Sequence, residues 1–288
     1  MGNFGGHALP GAFFLLFGVW WTIQILIQYY SCLKHNVKFI SQGMFPCSCF
    51  CGRLKKWPIQ PCMVIFFTTV GLSLEIYTGI SHGKFDAPGN AQHATMFFFF
   101  GLTAFINLLA YFKIAMPKDL DYVMGAIAFT IEWVLFRFHL HGRTPLDVLL
   151  HTLLMYVIGA NILSIFIELK YRDQVLAPLL RSYLVILQGT WFWQVGFILY
   201  NPNPDAEKWD EESHRQMMTA TMYFAWHLGV VFLLMLIINC VVAAYYNKLL
   251  YRKDNKIEME SLIKSESNGY TCVSMADSDD DFEKASIS

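Results

Sequence analysis

Asp147 and His151 are four residues apart and Glu132 and His139 are seven apart, spacings that put each pair on one face of a helix. All four lie in or at the edge of long apolar runs, as do Glu75, His93, Gln188, Gln194 and His227, with His7 and His141 close by. Imidazole, carboxylate and carboxamide groups at such depth cost about 2.5–3.5 kcal/mol each to insert and normally face the interior of a bundle. Three chemistries suit the inventory. The groups can bond one another across helices as structure, they can hold zinc or another divalent metal, or the histidines can titrate as a pH sensor or proton path. The metal candidates are His93, Glu132, His139, His151 and His227. No single helix carries an HxxxH or HExxH pair, so such a site needs ligands from several spans. No serine stands in a GxSxG elbow, which leaves nucleophilic catalysis unsupported.

The elements that must position these groups are apolar helices. Seven stretches reach the roughly 20 residues a bilayer requires: 9–30, 59–80, 94–112, 119–138, 145–168, 179–200 and 217–246. Of the 288 residues, 55% are hydrophobic and 15% charged, well below the quarter charged that is usual in soluble domains. The expected fold is all-α, a seven-transmembrane helix bundle over 1–246 embedded in a lipid bilayer, with a disordered acidic tail over 247–288. A net charge of -1 provides no basic face for nucleic acid.

Fourteen Lys and Arg fall in or beside the loops on one side of this topology and five on the other, so the N-terminus is expected to be lumenal or extracellular and the C-terminus cytosolic. Histidines 7, 82, 93, 139, 141, 151, 214 and 227 then lie on or toward the lumenal side, and His35 alone is cytosolic. By helical rise, Glu75, Glu132, His151 and Gln194 sit about 8–9 Å inside the lumenal boundary, with His227 and Gln188 deeper at about 15–18 Å. No lumenal loop contains a cysteine, so no disulfide framework is implied. Cys47, Cys49 and Cys51, beside a basic run near the bilayer, are candidates for reversible palmitoylation; a passive loop and a metal clip are the alternatives. There is no basic n-region or cleavage site before the first span, which is expected to be its own insertion signal. Gly18, Gly189 and Gly196 allow close helix approach, within the chain or at a homodimer face.

Several strings together resemble the transmembrane protein 45 family. They are Gly6-His-Ala-Leu-Pro-Gly11, His93-Ala-Thr-Met96 with the four phenylalanines after it, His139-Leu-His141-Gly-Arg143 with Asp147 and His151, Ile186 to Leu199, and Trp226-His227. The resemblance covers residues 2 to about 230. It implies a seven-helix protein of the Golgi and endolysosomal system and puts His7, His93, His139, His141, Asp147, His151, Gln188 and His227 on family motif positions. The chain departs from the family pattern at Asn107, where the family has an acid, at Ala225, where it has Cys, and in lacking a Glu-rich start to the second span.

In the tail, Glu258 with Leu262 and Ile263 has the form of an acidic dileucine signal, and Tyr270 with Val273 that of a tyrosine-based one; both suit clathrin adaptor-type proteins. Ser278 lies in an acidic phosphorylation context. These signals predict residence in Golgi, endosome and lysosome, with cycling through the plasma membrane. The leading expectation is a non-enzymatic trafficking or adaptor-like protein whose lumenal His/Glu core is structural or pH-responsive. The alternatives are a membrane-embedded His/carboxylate metalloenzyme acting on lipid and a proton-linked transporter.

Overall fold

The computed structural model describes residues 3–45, 57–81 and 84–273, with side chains as far as residue 248. Seven helices account for most of them: α1 (Phe4–Lys34), α2 (Ile59–Gly79), α3 (Pro88–Tyr111), α4 (Leu120–His139), α5 (Pro145–Lys170), α6 (Leu176–Leu199) and α7 (His214–Val273). A two-residue antiparallel pair, β1 (Ile80–Ser81) with β2 (Lys84–Phe85), joins α2 to α3 in the register Ile80 to Phe85. Six of the helices are long and apolar enough to cross a membrane. The exception is α4, which carries Asp121, Glu132 and Arg137 within its 20 residues and packs between α3 and α5.

Local chemistry moves several boundaries away from those read off hydropathy. α1 begins at Phe4 and not at Leu9 because Asn3 caps it, its side-chain oxygen accepting from Gly6 N at 2.7 Å. α3 begins six residues earlier than expected because Pro88 occupies its first turn, where the missing N–H costs nothing. α7 continues past residue 246, where a disordered tail was expected: its backbone is helical to Val273, through a stretch rich in Leu, Lys, Glu and Met, all good helix formers. The chain divides after Cys240 into a unit holding the bundle and a second holding the rest of α7 and the residues after it. Of the residues named from sequence, Cys47, Cys49, Cys51, His82 and Ser278 lie outside the described residues, and Glu258, Leu262, Ile263, Tyr270 and Val273 lie where the backbone alone is described.

Neighbouring helices pack in the order α2, α3, α4, α5, α6, and α1 then returns to lie against α6. The ring closes through aromatic contacts between α1 and α2, with Phe67 at 4.7 Å from Phe13 and 6.2 Å from Phe17, centroid to centroid. α7, as far as Cys240, lies outside the ring. Phe224 meets Trp191 of α6 at 4.9 Å, the Tyr183 hydroxyl donates to Leu228 O at 3.0 Å, and the Tyr30 hydroxyl of α1 donates to Asn239 Oδ1 at 3.0 Å.

The α1–α6 contact is made possible by missing side chains. A Cβ on Gly189 would sit 2.7 Å from Leu15 N and 2.8 Å from Gly11 O, and one on Gly18 would sit 2.6 Å from Ile186 Cγ1. Gly189→Val is expected to force the helices apart and destabilise the fold by about 1–3 kcal/mol, measured by thermal unfolding in detergent. Gly229→Val, whose Cβ would meet nothing within 4 Å, should leave the unfolding temperature within error of wild type.

Candidate functional site

The six-helix ring encloses a cavity of about 200 Å³. Its lining reaches from His7 to Trp21 on α1 and from Asp121 to His139 on α4, about 21–27 Å at the helical rise, most of the roughly 30 Å of a hydrocarbon core. The shaft is aromatic: Phe13, Phe14, Phe17, Phe67, Phe97, Phe100, Phe129, Phe136 and Phe192 form its wall. Phe14 stacks on Phe192 at 5.8 Å and meets Phe100 edge-on at 5.6 Å, so α1, α3 and α6 share one layer. Polar groups gather at its two ends.

At the end where α1, α3 and α5 begin, the lining includes His7, Glu75, His93, Glu132, His139, Arg143 and His151. Arg143, in the α4–α5 turn, organises this end. Its Nη1 donates to Asp147 Oδ2 at 2.7 Å, its Nη2 lies 2.5 Å from His139 Nε2, its Nε donates to His139 O at 2.9 Å, and it also meets the Tyr200 side chain. His139 Nδ1 faces Gln92 Oε1 at 2.8 Å. Because Arg143 can only donate, His139 accepts at Nε2 and donates from Nδ1, and both its ring nitrogens are occupied. His151 Nδ1 lies 2.9 Å from Asp147 O and 2.6 Å from Asp147 Oδ1. His7 Nδ1 lies 3.2 Å from Asn3 O, and His93 Nδ1 lies 3.3 Å from Glu75 Oε1. The rings are neighbours: His93 and His139 at 5.3 Å, His7 and His151 at 5.7 Å, His139 and His151 at 6.4 Å. Deeper in, Gln188 Nε2 donates to both Glu132 oxygens at 2.9 and 3.1 Å, and Asn161 Nδ2 donates to Gln188 Oε1 at 3.0 Å.

The structure thus brings together His7, Glu75, His93, Glu132, His139, Asp147, His151 and Gln188. Three residues named with them lie elsewhere. Gln194 and His227 pair with each other at 3.3 Å, with His227 against the Trp191 ring, on the side of α6 that meets α7. His141 is exposed in the α4–α5 turn, stacked on Phe138, because helix α4 ends at His139 and the two histidines of His139-Leu-His141 point apart. The five proposed metal ligands are therefore divided, and His139 has no ring nitrogen to spare. Among the described residues no three His, Cys, Asp or Glu side chains converge on a metal position.

Sequence reading missed the other end of the cavity. Glu168 and Arg181, facing each other across the short α5–α6 connection, form a buried ion pair with Arg181 Nε 2.5 Å and Nη2 3.2 Å from the carboxylate. The Tyr122 hydroxyl donates to Glu168 at 3.0 Å, the Ser41 hydroxyl bonds the same oxygen, and Arg181 lies over the Trp21 ring at 4.8 Å. Ser41 belongs to an extended strap after α1 that is stitched to the α5–α6 turn, with Ser41 N donating to Arg172 O at 2.7 Å and Arg172 Nη2 donating to Ser41 O at 2.8 Å. The 13-residue spacing of an acid and a base across a tight helical connection was the available signal.

A family model described as a family of unknown function (DUF716) matches residues 118–240, from the start of α4 into α7. Transmembrane epididymal protein 1 of Rattus norvegicus is 24% identical over 244 residues, 82% of this chain and 79% of that protein. Transmembrane epididymal protein 1A of Mus musculus is 22% identical over 253 residues, with the same coverage, and transmembrane epididymal protein 1 of Homo sapiens is 27% identical over 150 residues, 51% of this chain and 54% of its own length. With six helices fit to cross a bilayer, these likenesses make the chain a multi-pass membrane protein.

The buried pair generates a test of its own. Removing one partner of such a pair costs about 3–5 kcal/mol, whereas replacing both with apolar residues of similar volume is close to neutral. Glu168→Met and Arg181→Met should each lower the unfolding temperature sharply, and the double variant should recover most of the loss; a double variant as unstable as the sum of the singles would exclude this account.

Proposed function

We propose that the bundle is an intramembrane receptacle for one amphiphilic lipid-like molecule, its apolar body in the phenylalanine shaft and its polar head at the histidine end. The observation that carries this reading is the cavity itself, long and aromatic, with the histidines at one end and Arg181 in its lining toward the other. Interior space walled by Phe and opening on convergent polar groups is the usual form of a small-molecule site between helices. The chain then acts by binding and presenting or moving its ligand, which is compatible with the absence of a nucleophile elbow in the sequence.

The setting of this activity is part of the proposal. Seven spans with a lumenal N-terminus follow from the loop charges; residence in Golgi and endolysosomal membranes is supported by the two tail signals and by the resemblance to the transmembrane protein 45 family. A second reading, a lipid-directed hydrolase, is favoured by one observation: the Arg143–Asp147–His151 chain, in which Asp147 orients an imidazole that lines the cavity, as a general base is oriented in other enzymes. A metal-assisted version would need ligands that the described residues do not bring together.

Lipids extracted from the purified protein and measured by mass spectrometry should contain one species in near-stoichiometric amount, lost in Phe129→Trp, which fills the shaft; equal lipid content in the two samples would dismiss the receptacle. For the setting, Leu262→Ala with Tyr270→Ala should redistribute the protein to the cell surface, and an unchanged distribution would remove the sorting role of the tail.

A further inference from the structure

Chain burial cannot select the ligand, because lipid tails are as apolar as the shaft and leaving the bilayer for it gains little. Selection falls to the histidine end, and the hydrogen bonds there define which head group fits. The Asp147 carbonyl, an acceptor, fixes the Nδ1 hydrogen of His151, with the Asp147 carboxylate beside the same nitrogen, and the Asn3 carbonyl fixes that of His7. As neutral imidazoles both therefore present an Nε2 lone pair, and no hydrogen bond from the described residues reaches either. Both rings line the cavity, 5.7 Å apart. Below them Glu132, 2% exposed, has its two carboxylate oxygens served by the single Gln188 amide nitrogen, leaving lone pairs unfilled. Glu75, paired with His93 at 3.3 Å, adds another acceptor to the lining. Among the described residues lining this end the fixed cation is Arg143, and it is engaged by Asp147, His139 and Tyr200.

We infer that the cavity takes a long-chain or sterol-like lipid whose head group donates hydrogen bonds and bears no negative charge, an alcohol or amino alcohol, and that it discriminates against carboxylate and phosphate heads. This rests on the receptacle reading and narrows it. A hydroxyl donates to an imidazole Nε2 or to Glu132, whereas an anionic head meets lone pairs and carboxylates, and the guanidinium it would need is already engaged by Asp147 and His139. Sites built to accept from a ligand hydroxyl reject analogues that cannot donate, because their own polar groups are then left unpaired.

The experiment uses the full-length protein in detergent at pH 8, where unperturbed imidazoles are neutral, with oleyl alcohol, monooleoylglycerol, cholesterol and sphingosine set against oleate and oleoyl lysophosphatidate, binding read by thermal shift and by displacement of a fluorescent fatty alcohol. At least one donor-headed lipid should bind about tenfold or more tighter than both anions, the equivalent of one good hydrogen bond. His7→Phe, a change accommodated beside Tyr200 and Phe192, should weaken that preference while leaving the thermal stability of the empty protein near wild type. Oleate or lysophosphatidate binding as tightly as the alcohols would overturn the inference and leave the receptacle standing. No binding by any lipid, with wild type and Phe129→Trp alike, would remove the receptacle itself.

Discussion

The return of α1 to α6 is the contact on which the rest depends. Five helices packed in sequence, α2 to α6, would make an open arc with one wet or lipid-filled face. Placing the first helix against the sixth, at a separation only glycine permits at positions 11, 18 and 189, turns the arc into a ring and encloses the space at its centre. The near side of the ring, between α1 and α2, is joined by phenylalanine faces, a looser junction than the glycine contact opposite. The tight seam fixes the geometry of the wall on the α1–α6 side.

A hollow bundle in lipid needs its polar groups partnered, since unpaired ones cost several kcal/mol in hydrocarbon. The two ends meet that demand in different ways. At the α5–α6 end a carboxylate and a guanidinium neutralise each other, Tyr122 and Ser41 bond the carboxylate, and the guanidinium lies over the Trp21 ring. At the other end the single guanidinium is committed to Asp147 and His139, and the remaining imidazoles and carboxylates keep lone pairs turned toward the interior. One end holds charges paired with each other, and the other is open to chemistry because its acceptors outnumber its donors.

Much of this could be read from the chain. Seven helices, their order and the pairing of Asp147 with His151 followed from hydropathy and from four-residue spacing, and the histidines at 7, 93, 139 and 151 do share one cavity. What sequence could not supply was the partner across space. His227 was grouped with them by depth, yet its helix lies outside the ring and its partner is Gln194. His141 was grouped by proximity to His139, yet the helix ends between them. The Glu168–Arg181 pair carried no sequence signal of its own because a hydropathy window cannot tell a charge facing water from one facing its counter-ion. Helix starts were misplaced for a similar reason: Asn3 and Pro88 set them by capping chemistry, which carries no hydropathy signal.

The ladder from Asn161 through Gln188 to Glu132 shows how the fold divides cost between structure and function. It links α5, α6 and α4 across the most apolar depth of the bundle, where three polar side chains would be a liability unless each served another. Yet it terminates incompletely at both ends: Asn161 Oδ1 is buried with no partner among the described residues, and Glu132 shares one amide between two oxygens. A ladder serving packing alone would be more stable as three aliphatic residues of the same volume. Of its three members Glu132 alone lines the cavity, so the acceptor left unfilled at that rung is the one point of the ladder that a molecule in the shaft could complete.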